Sequence, residues 1–411
     1  MGVVWGGVPR AGWTKPLSER RLSDLVSVGV LMRTFPPVVV DDVIAECGRT
    51  ERRHRSLPAR VMAYFAIGMA LHAEGSYEDV LGLLCDGLSW STGDDEPVRL
   101  PSKSAIFQAR VRLGAEPLEQ LFRRVAAPLA PKDAAGAWLA GRRLVALDGL
   151  CLDVADTVEN VEWFGRPGVN KGEQAAFPQA RVVALAECGS HAVVDAVVGG
   201  YSTAENTLAR DVVDRLTSDM LLLADRGFCG FPLWERAMAT GADLLWRAKP
   251  NMKPRHVETL ADGSWLAELR PAGNPGRHAE PVTIRVIDYQ IDDGRPNDET
   301  YRLFTTILDP ADVSAVDLAL AYAQRWEIEG VFDELKTHQR GPRTVLRSKS
   351  PELVRQEIWG HLCCHYAIRS LMWEAAAHAD VDADRVSFVA ALRIARRSIP
   401  ATPAFPPSHH E

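Results

Sequence analysis

The sequence contains no C-x-x-C pair, no apolar run of the roughly eighteen residues that a membrane span needs, and no excess of positive charge. Each lack excludes a class of protein. The seven cysteines, at 47, 85, 151, 188, 229, 363 and 364, are odd in number, so they encode neither a disulfide framework nor a zinc knuckle and suit a reducing cytoplasm. The opening stretch MGVVWGGVPRAGW has no basic leader, and glycine stands at position 6 where a myristoylation signal needs Ser or Thr. Neither export, lipid anchoring nor a membrane partner is expected. A formal net charge of −7, taken over the whole chain, argues against an affinity for phosphates.

What is present points another way. With 46% hydrophobic and 25% charged residues, the 411-residue chain can bury the cores of two or three globular domains. Its positive charge is gathered locally. Residues 99–143 carry Arg99, Lys103, Arg110, Arg112, Arg123, Arg124, Lys132, Arg142 and Arg143 against only Glu116, Glu119 and Asp133. Residues 336–349 carry Lys336, Arg340, Arg343, Arg347 and Lys349 and no acid. Two basic patches in an acidic chain are candidate nucleic-acid contacts, although a solvated helix face has the same composition.

Periodicity divides the chain. Up to residue 135 it reads as helices: SLPARVMAYFAIGMALHAEG closes on glycine, SYEDVLGLL opens with Ser76 three before Asp79, and PSKSAIFQARVRLG is a basic amphipathic run. Helix, turn and basic helix in that order suit a DNA-binding domain over 1–135, with Lys103, Arg110 and Arg112 as its candidate contacts. Between 140 and 249 the period shortens. RLVALDGLCLDV, ARVVALAEC, HAVVDAVVGGY and DMLLLAD read as strands, and TAENTLARDVVDRLT reads as a helix before the last of them, giving the first part of an α/β core. A β-rich insertion is expected over 250–310, the second part of the core over 311–378, and a tail over 379–411.

The stretch AYAQRWEIEGVFDELKTHQR, residues 321–340, is expected to be one helix of this second part. At roughly 100° per residue, Tyr322, Arg325, Glu329 and Lys336 fall within one arc of about 60°, beside an apolar stripe of Ala321, Ile328, Phe332 and Leu335. Glu327 faces the opposite side by the same count, whereas Asp333 is compatible with the arc. Asp148 lies in the strand RLVALDG with glycine directly after it; Asp225 ends the apolar run MLLLAD. Carboxylates at strand ends stand where open α/β sheets present ligands, and several converging carboxylates are what a two-metal phosphoryl-transfer site requires. Strand-end position favours Asp225 over Asp219; nothing in the residues alone separates Asp148 from Asp153, and Asp156 follows closely.

With Asp148 in LDG, Asp225 in ADRGF and the helix pattern Y-x2-R-x3-E-x6-K, the chain resembles the DDE transposases of the insertion sequence 4 family. The resemblance extends through AAFPQARVVALAECGSHAVVDA and LRSKSPELVRQEIWGHL and covers nearly the full length. It implies a ribonuclease-H-like mixed-sheet catalytic core with an all-β insertion, preceded by an α-helical N-terminal domain. It further implies that Asp148, Asp225 and Glu329 hold two Mg²⁺ or Mn²⁺ ions, while Tyr322, Arg325 and Lys336 contact DNA phosphates. Arg226, Arg340, Arg343 and Arg347 are further candidate DNA contacts. The implied activity is cut-and-paste transposition: binding of terminal inverted repeats, metal-dependent phosphodiester hydrolysis and strand transfer into target double-stranded DNA. A homodimer in the synaptic complex and a cytoplasmic, nucleoid-associated location go with it. In this family an aromatic residue of the insertion can stack on a displaced base during a hairpin step, for which Trp265, Tyr289 and Tyr301 are candidates. A silent DNA-binding relative, or a ribonuclease-H-like nuclease without strand transfer, is the alternative. The pair His361 and His365 in HLCCH is read as packing.

Overall fold

A computed structural model describes residues 31–51, 57–92, 101–132, 134–168, 175–271, 280–290, 300–341 and 344–396, with the side chains of 85–92 and 384 left aside. Five helices come first: α1 (Pro37–Glu46), α2 (Ala59–Leu71), α3 (Tyr77–Thr92), α4 (Lys103–Leu113) and α5 (Glu116–Val125). The strand region follows with β1 (Trp138–Leu139), β2 (Arg142–Asp153), α6 (Val158–Phe164), β3 (Gln179–Glu187), β4 (Val193–Gly200), α7 (Glu205–Val213), β5 (Met220–Ala224), α8 (Phe231–Met238) and β6 (Asp243–Arg247). Next come β7 (Arg255–Thr259), β8 (Trp265–Leu269), β9 (Val282–Tyr289) and β10 (Tyr301–Thr305). Helices α9 (Ala315–Ala323), α10 (Glu327–Asp333), α11 (Pro351–Ala379) and α12 (Phe388–Arg396) complete the described chain. Among the described residues, no helix is long and apolar enough to cross a membrane.

The chain forms two compact units, one of residues 126–333 with 345–349, the other of 1–125, 334–344 and 350–411. In the first, the sheet runs β4-β3-β2-β5-β6-β10-β9-β8-β7. Strand β3 pairs antiparallel with both β2 and β4, whereas β5 lies parallel to β2 and β6 parallel to β5. Three antiparallel strands followed by two parallel ones, with the first strand central, is the ribonuclease-H-like arrangement. The parallel step needs a crossover, which α7 supplies on one face, lying on β3 and β4 and adding Leu208, Ala209, Val212 and Val213 to the core that holds Val145, Leu147, Val183 and Leu185.

The expected insertion does not stand apart from this sheet. Its strand β10 pairs antiparallel with β6, so β7 to β10 continue the core sheet and cover what would otherwise be an exposed edge of buried, apolar β6. Buried Arg285 anchors it, donating to Ser264 Oγ at 2.8 Å and to the carbonyl of Val313 at 2.8 Å, and pairing with Asp262.

Two boundaries differ from the sequence reading. Helix α11 belongs with the N-terminal helices and not with the core, because every residue from Gln356 to Arg369 is buried and α2 and α5 pack on it. The expected tail includes α12, an amphipathic helix that buries Phe388, Ala391, Leu392 and Ala395. The Ser76–Asp79 pattern is a reciprocal cap, with Ser76 N–H to Asp79 Oδ2 at 3.0 Å and Asp79 N–H to Ser76 Oγ at 3.1 Å.

Close approach within the helical unit requires one glycine in particular. A Cβ at Gly360 would lie 2.6 Å from the carbonyl oxygen of Ala66 on α2, so Gly360→Ala forces two helices apart. The expected cost is about 1–3 kcal/mol of stability, read by urea titration; an unchanged midpoint would show that the helices separate freely.

Candidate active site

Sheet register brings the two aspartates together. On the parallel pair β2 and β5, Leu147 is opposite Ala224, so the next residues, Asp148 and Asp225, are neighbours projecting to the same side. Asp153 lies at the far end of β2 on the other face and accepts from Gln179 Nε2 at 2.8 Å. Register thus separates Asp148 from its rival. Asp156 pairs with Arg166 at 2.5 Å, and Asp219 precedes β5 at its opposite end, bonded to Thr217 Oγ1 at 2.5 Å.

Burial holds the Asp148 carboxyl above the ordinary carboxylate range, at about 6, with the charges of Glu205 and Asp225 adding to the effect; the Gly149 N–H and Arg325 oppose it. Asp225 is half-buried. Two carboxylates crowded in this way create a local demand for positive charge.

Arg325 answers part of that demand. Its side chain, 7% exposed, places Nη1 3.6 Å from Asp148 Oδ2 and Nη2 3.5 Å from Glu329 Oε1. It lies 4.8 Å from the ring of Trp326. The Arg325–Glu329 spacing is the i,i+4 relation of the sequence pattern, so these two residues share a face. Beyond them the helical wheel does not hold, because the expected single helix changes type twice. Residues Gln324–Trp326 are 3₁₀ and Glu334–Gln339 are π-helical, which shifts the phase before Lys336 is reached. Half-buried Lys336 also lies beyond the junction at 333, in the helical unit, so its place in the arc is not supported.

Tyr322 is buried, and its hydroxyl donates to the Ala224 carbonyl at 3.4 Å, beside Asp225. Burial drives its phenol pKa upward. The hydroxyl is thus turned to the strand backbone rather than toward an open phosphate position. Glu327 does face away from Glu329, yet it is not idle: its carboxylate accepts from the Gly189 N–H and lies 3.5 Å from His191 Nε2. It holds the β3–β4 turn.

One carboxylate escaped the sequence reading. Glu205, in the first turn of α7, presses on the residue after Asp148: a Cβ at Gly149 would sit 2.7 Å from Glu205 Oε1. An acidic residue in a first helical turn ordinarily complements the helix dipole, so nothing in the sequence marks it.

Several candidate DNA contacts are engaged elsewhere. Arg110 is fully buried, its guanidinium donating to Gln356 Oε1 at 2.9 Å and Tyr77 Oη at 2.5 Å, and therefore ties α4 to its own unit instead of meeting DNA. Arg340 is buried against the Thr344 carbonyl. Lys103 and Arg112 remain exposed, Lys103 with Glu78 at 3.8 Å. Arg226 is exposed, Arg347 is half-buried in the core unit, and Arg343 lies outside the described residues. Much of the first basic patch is neutralised in space, Arg124 by Glu46, Arg142 by Asp243 and Arg143 by Glu187. His365 bonds to Glu334 at 2.9 Å, within a buried cluster with Arg369.

Beside Arg325 opens a cavity of about 600 Å³ walled by Arg247, Tyr289, Tyr301, Tyr322 and Trp326 among others. The Tyr289 and Tyr301 rings stack at 5.4 Å, and Arg247 covers Tyr301 at 4.2 Å. Trp265 does not line it; its ring stacks on His256 and its indole N–H donates to Asp288 Oδ2 at 3.3 Å.

The donors at Asp148 and Asp225 are hard carboxylate oxygens with excess negative charge, which suits Mg²⁺ or Mn²⁺. Among the described residues, no three His, Cys, Asp or Glu side chains converge closely enough to hold an ion. The Arg325 guanidinium stands where Asp148 and Glu329 would otherwise face each other.

The transposase InsG for insertion sequence element IS4 of Escherichia coli (strain K12) is 29% identical over 349 residues, covering 83% of this chain and 76% of InsG. A putative transposase of the same strain, InsZ, is 30% identical over 216 residues, 48% of this chain and 71% of InsZ. A solved piggyBac transposase synaptic complex with hairpin DNA aligns over 92% of this chain and 81% of its own at 10% identity, with a TM-score of 0.44. Residues 25–123 match the insertion element 4 transposase N-terminal family and residues 139–367 match the transposase DDE domain, so the chain belongs to the DDE transposases of the insertion sequence 4 family.

Proposed function

We propose that this chain is an active transposase: it binds the terminal inverted repeats of its element, hydrolyses a phosphodiester there, and joins the freed 3′-hydroxyl to target double-stranded DNA. The observation that supports the reading is Asp148, within β2, beside Asp225, which directly follows the parallel neighbour β5, with Arg325 joining Asp148 to Glu329. Asp148, Asp225 and Glu329 would hold two Mg²⁺ or Mn²⁺ ions. Metal held there would supply activation of the attacking oxygen and stabilisation of the leaving one.

Arg325 does two things in this scheme. Without substrate it offsets the carboxylate charge; with DNA present its guanidinium is placed to take phosphate oxygens beside the reacting phosphodiester. Tyr322 positions the strand end that carries Asp225. Lys103, Arg112 and Lys336 would contact DNA from the helical unit, while Arg226 and Arg347 would contact phosphates from the core unit. Two chains, one per element end, would form the synaptic complex in the cytoplasm, at the nucleoid. The aromatic cavity would take a base displaced from the element end, Tyr289 and Tyr301 offering the stacking faces.

Three outcomes are expected. Asp225→Asn should abolish nicking, and removal of divalent metal should do the same, while a gel shift still reports DNA binding; an Asp225→Asn protein cutting at the parental rate would remove the assignment. Arg325→Ala loses charge-assisted contacts of about 1.5–3 kcal/mol, so cleavage should fall about tenfold or more with the fold retained by thermal melt. Glu235→Gln, an exposed change on α8, serves as the control in place of Glu327, which holds a turn. Cleavage unchanged in Arg325→Ala would make the ion pairs merely structural. For the cavity, 2-aminopurine next to the element end should be quenched on binding, and Tyr289→Ala should weaken that quenching whereas Trp265→Ala should not. Equal effects of the two would move the base elsewhere.

A further inference from the structure

A second, smaller cavity of about 180 Å³ is walled by Arg226, Arg247, Lys249 and Arg302, with Asp288 its one acidic lining residue. Four cations thus meet one carboxylate in a chain of net charge −7. They come from three places that the core topology joins: the turn after β5, the end of β6 with the residues following it, and β10. The single carboxylate is already satisfied, since Asp288 accepts from Arg302 at 2.7 and 3.0 Å and from the Trp265 indole. Arg226 is exposed, Lys249 is half-buried, and neither has an acidic partner among the described residues.

A concave wall with that surplus selects a compact anion bearing several oxygens. Its location narrows the choice further. Arg226 directly follows Asp225, so the cavity begins one residue from the carboxylate pair. Arg247 and Asp288 wall this cavity and the aromatic one alike, which makes the two spaces neighbours across a shared partition. We infer that the cavity holds one backbone phosphate of the DNA strand that enters the carboxylate site. Arg226 and Lys249 supply its charge, and Arg247 separates that phosphate from the base space. The inference rests on the transposase reading and adds a phosphate subsite that fixes where the strand lies.

Salt dependence tests it apart from catalysis. The full chain carrying Asp225→Asn would be the parent, and the probe a short fluorescent duplex of arbitrary sequence, since a phosphate contact carries no sequence preference. The slope of log affinity against log salt counts neutralised phosphates, at about 0.9 each for duplex DNA. Adding Arg226→Gln and Lys249→Gln together should lower that slope by about 0.9, one phosphate and not two, and weaken binding. Lys249→Arg should keep the parental slope, and Arg236→Gln, a surface cation paired with Asp214, should keep it too. A double variant with parental slope and affinity, folded by thermal melt, overturns the subsite and leaves the transposase reading standing. A parent that binds no duplex at all overturns both.

Discussion

Charge balance around Asp148 is the constraint on which the site depends. The ribonuclease-H-like order of strands makes β2 and β5 parallel neighbours, and their register leaves no choice but to set Asp148 beside Asp225. Like charges so placed raise the Asp148 pKa beyond what burial alone does, and the arrangement persists only because something positive lies near. In this chain that is a guanidinium, only 7% exposed and shared between Asp148 and Glu329. A cation of higher charge or a phosphate competing for the guanidinium would alter the balance, which is the electrical situation a metal-dependent strand-cutting site needs.

Much of this was legible in the sequence because it follows from short-range rules. Apolar runs ending in aspartate read as strands, although β2 continues past Asp148 to Asp153 and only Asp225 stands at a strand end, and the i,i+4 relation of Arg325 to Glu329 survives a change of helix type between them. Longer extrapolation failed for a physical reason. Fourteen residues of ideal helix were needed to align Lys336 with Tyr322, whereas the chain inserts a 3₁₀ turn and a π-helical segment, and the phase is lost. Register between strands distant in sequence is equally invisible to local reading, so the choice between Asp148 and Asp153 waited for the β2–β5 pairing. Glu205 was missed because only the fold brings α7 against Gly149.

Charge counting along the sequence misled in a related way. Arg110, Arg124, Arg142 and Arg143 belong to one basic stretch, yet each is consumed by a partner far along the chain or by a buried polar group. The opposite case is the small cavity, whose cations lie at 226, 247, 249 and 302 and form no patch in sequence. A basic surface is a property of pairing in space; acids remote in sequence decide which arginines remain available.

The central claim, that Asp148, Asp225 and Glu329 together receive a hard divalent cation, can be tested without any DNA substrate. Fe²⁺ replacing Mg²⁺ in the presence of ascorbate and peroxide generates hydroxyl radicals where the metal binds, and these cut the nearby polypeptide backbone. Fragments ending close to 148, 225 and 329 are expected, suppressed by excess Mg²⁺ and lost in Asp225→Asn. Cuts confined to other regions, or an identical pattern in Asp225→Asn, would contradict the account.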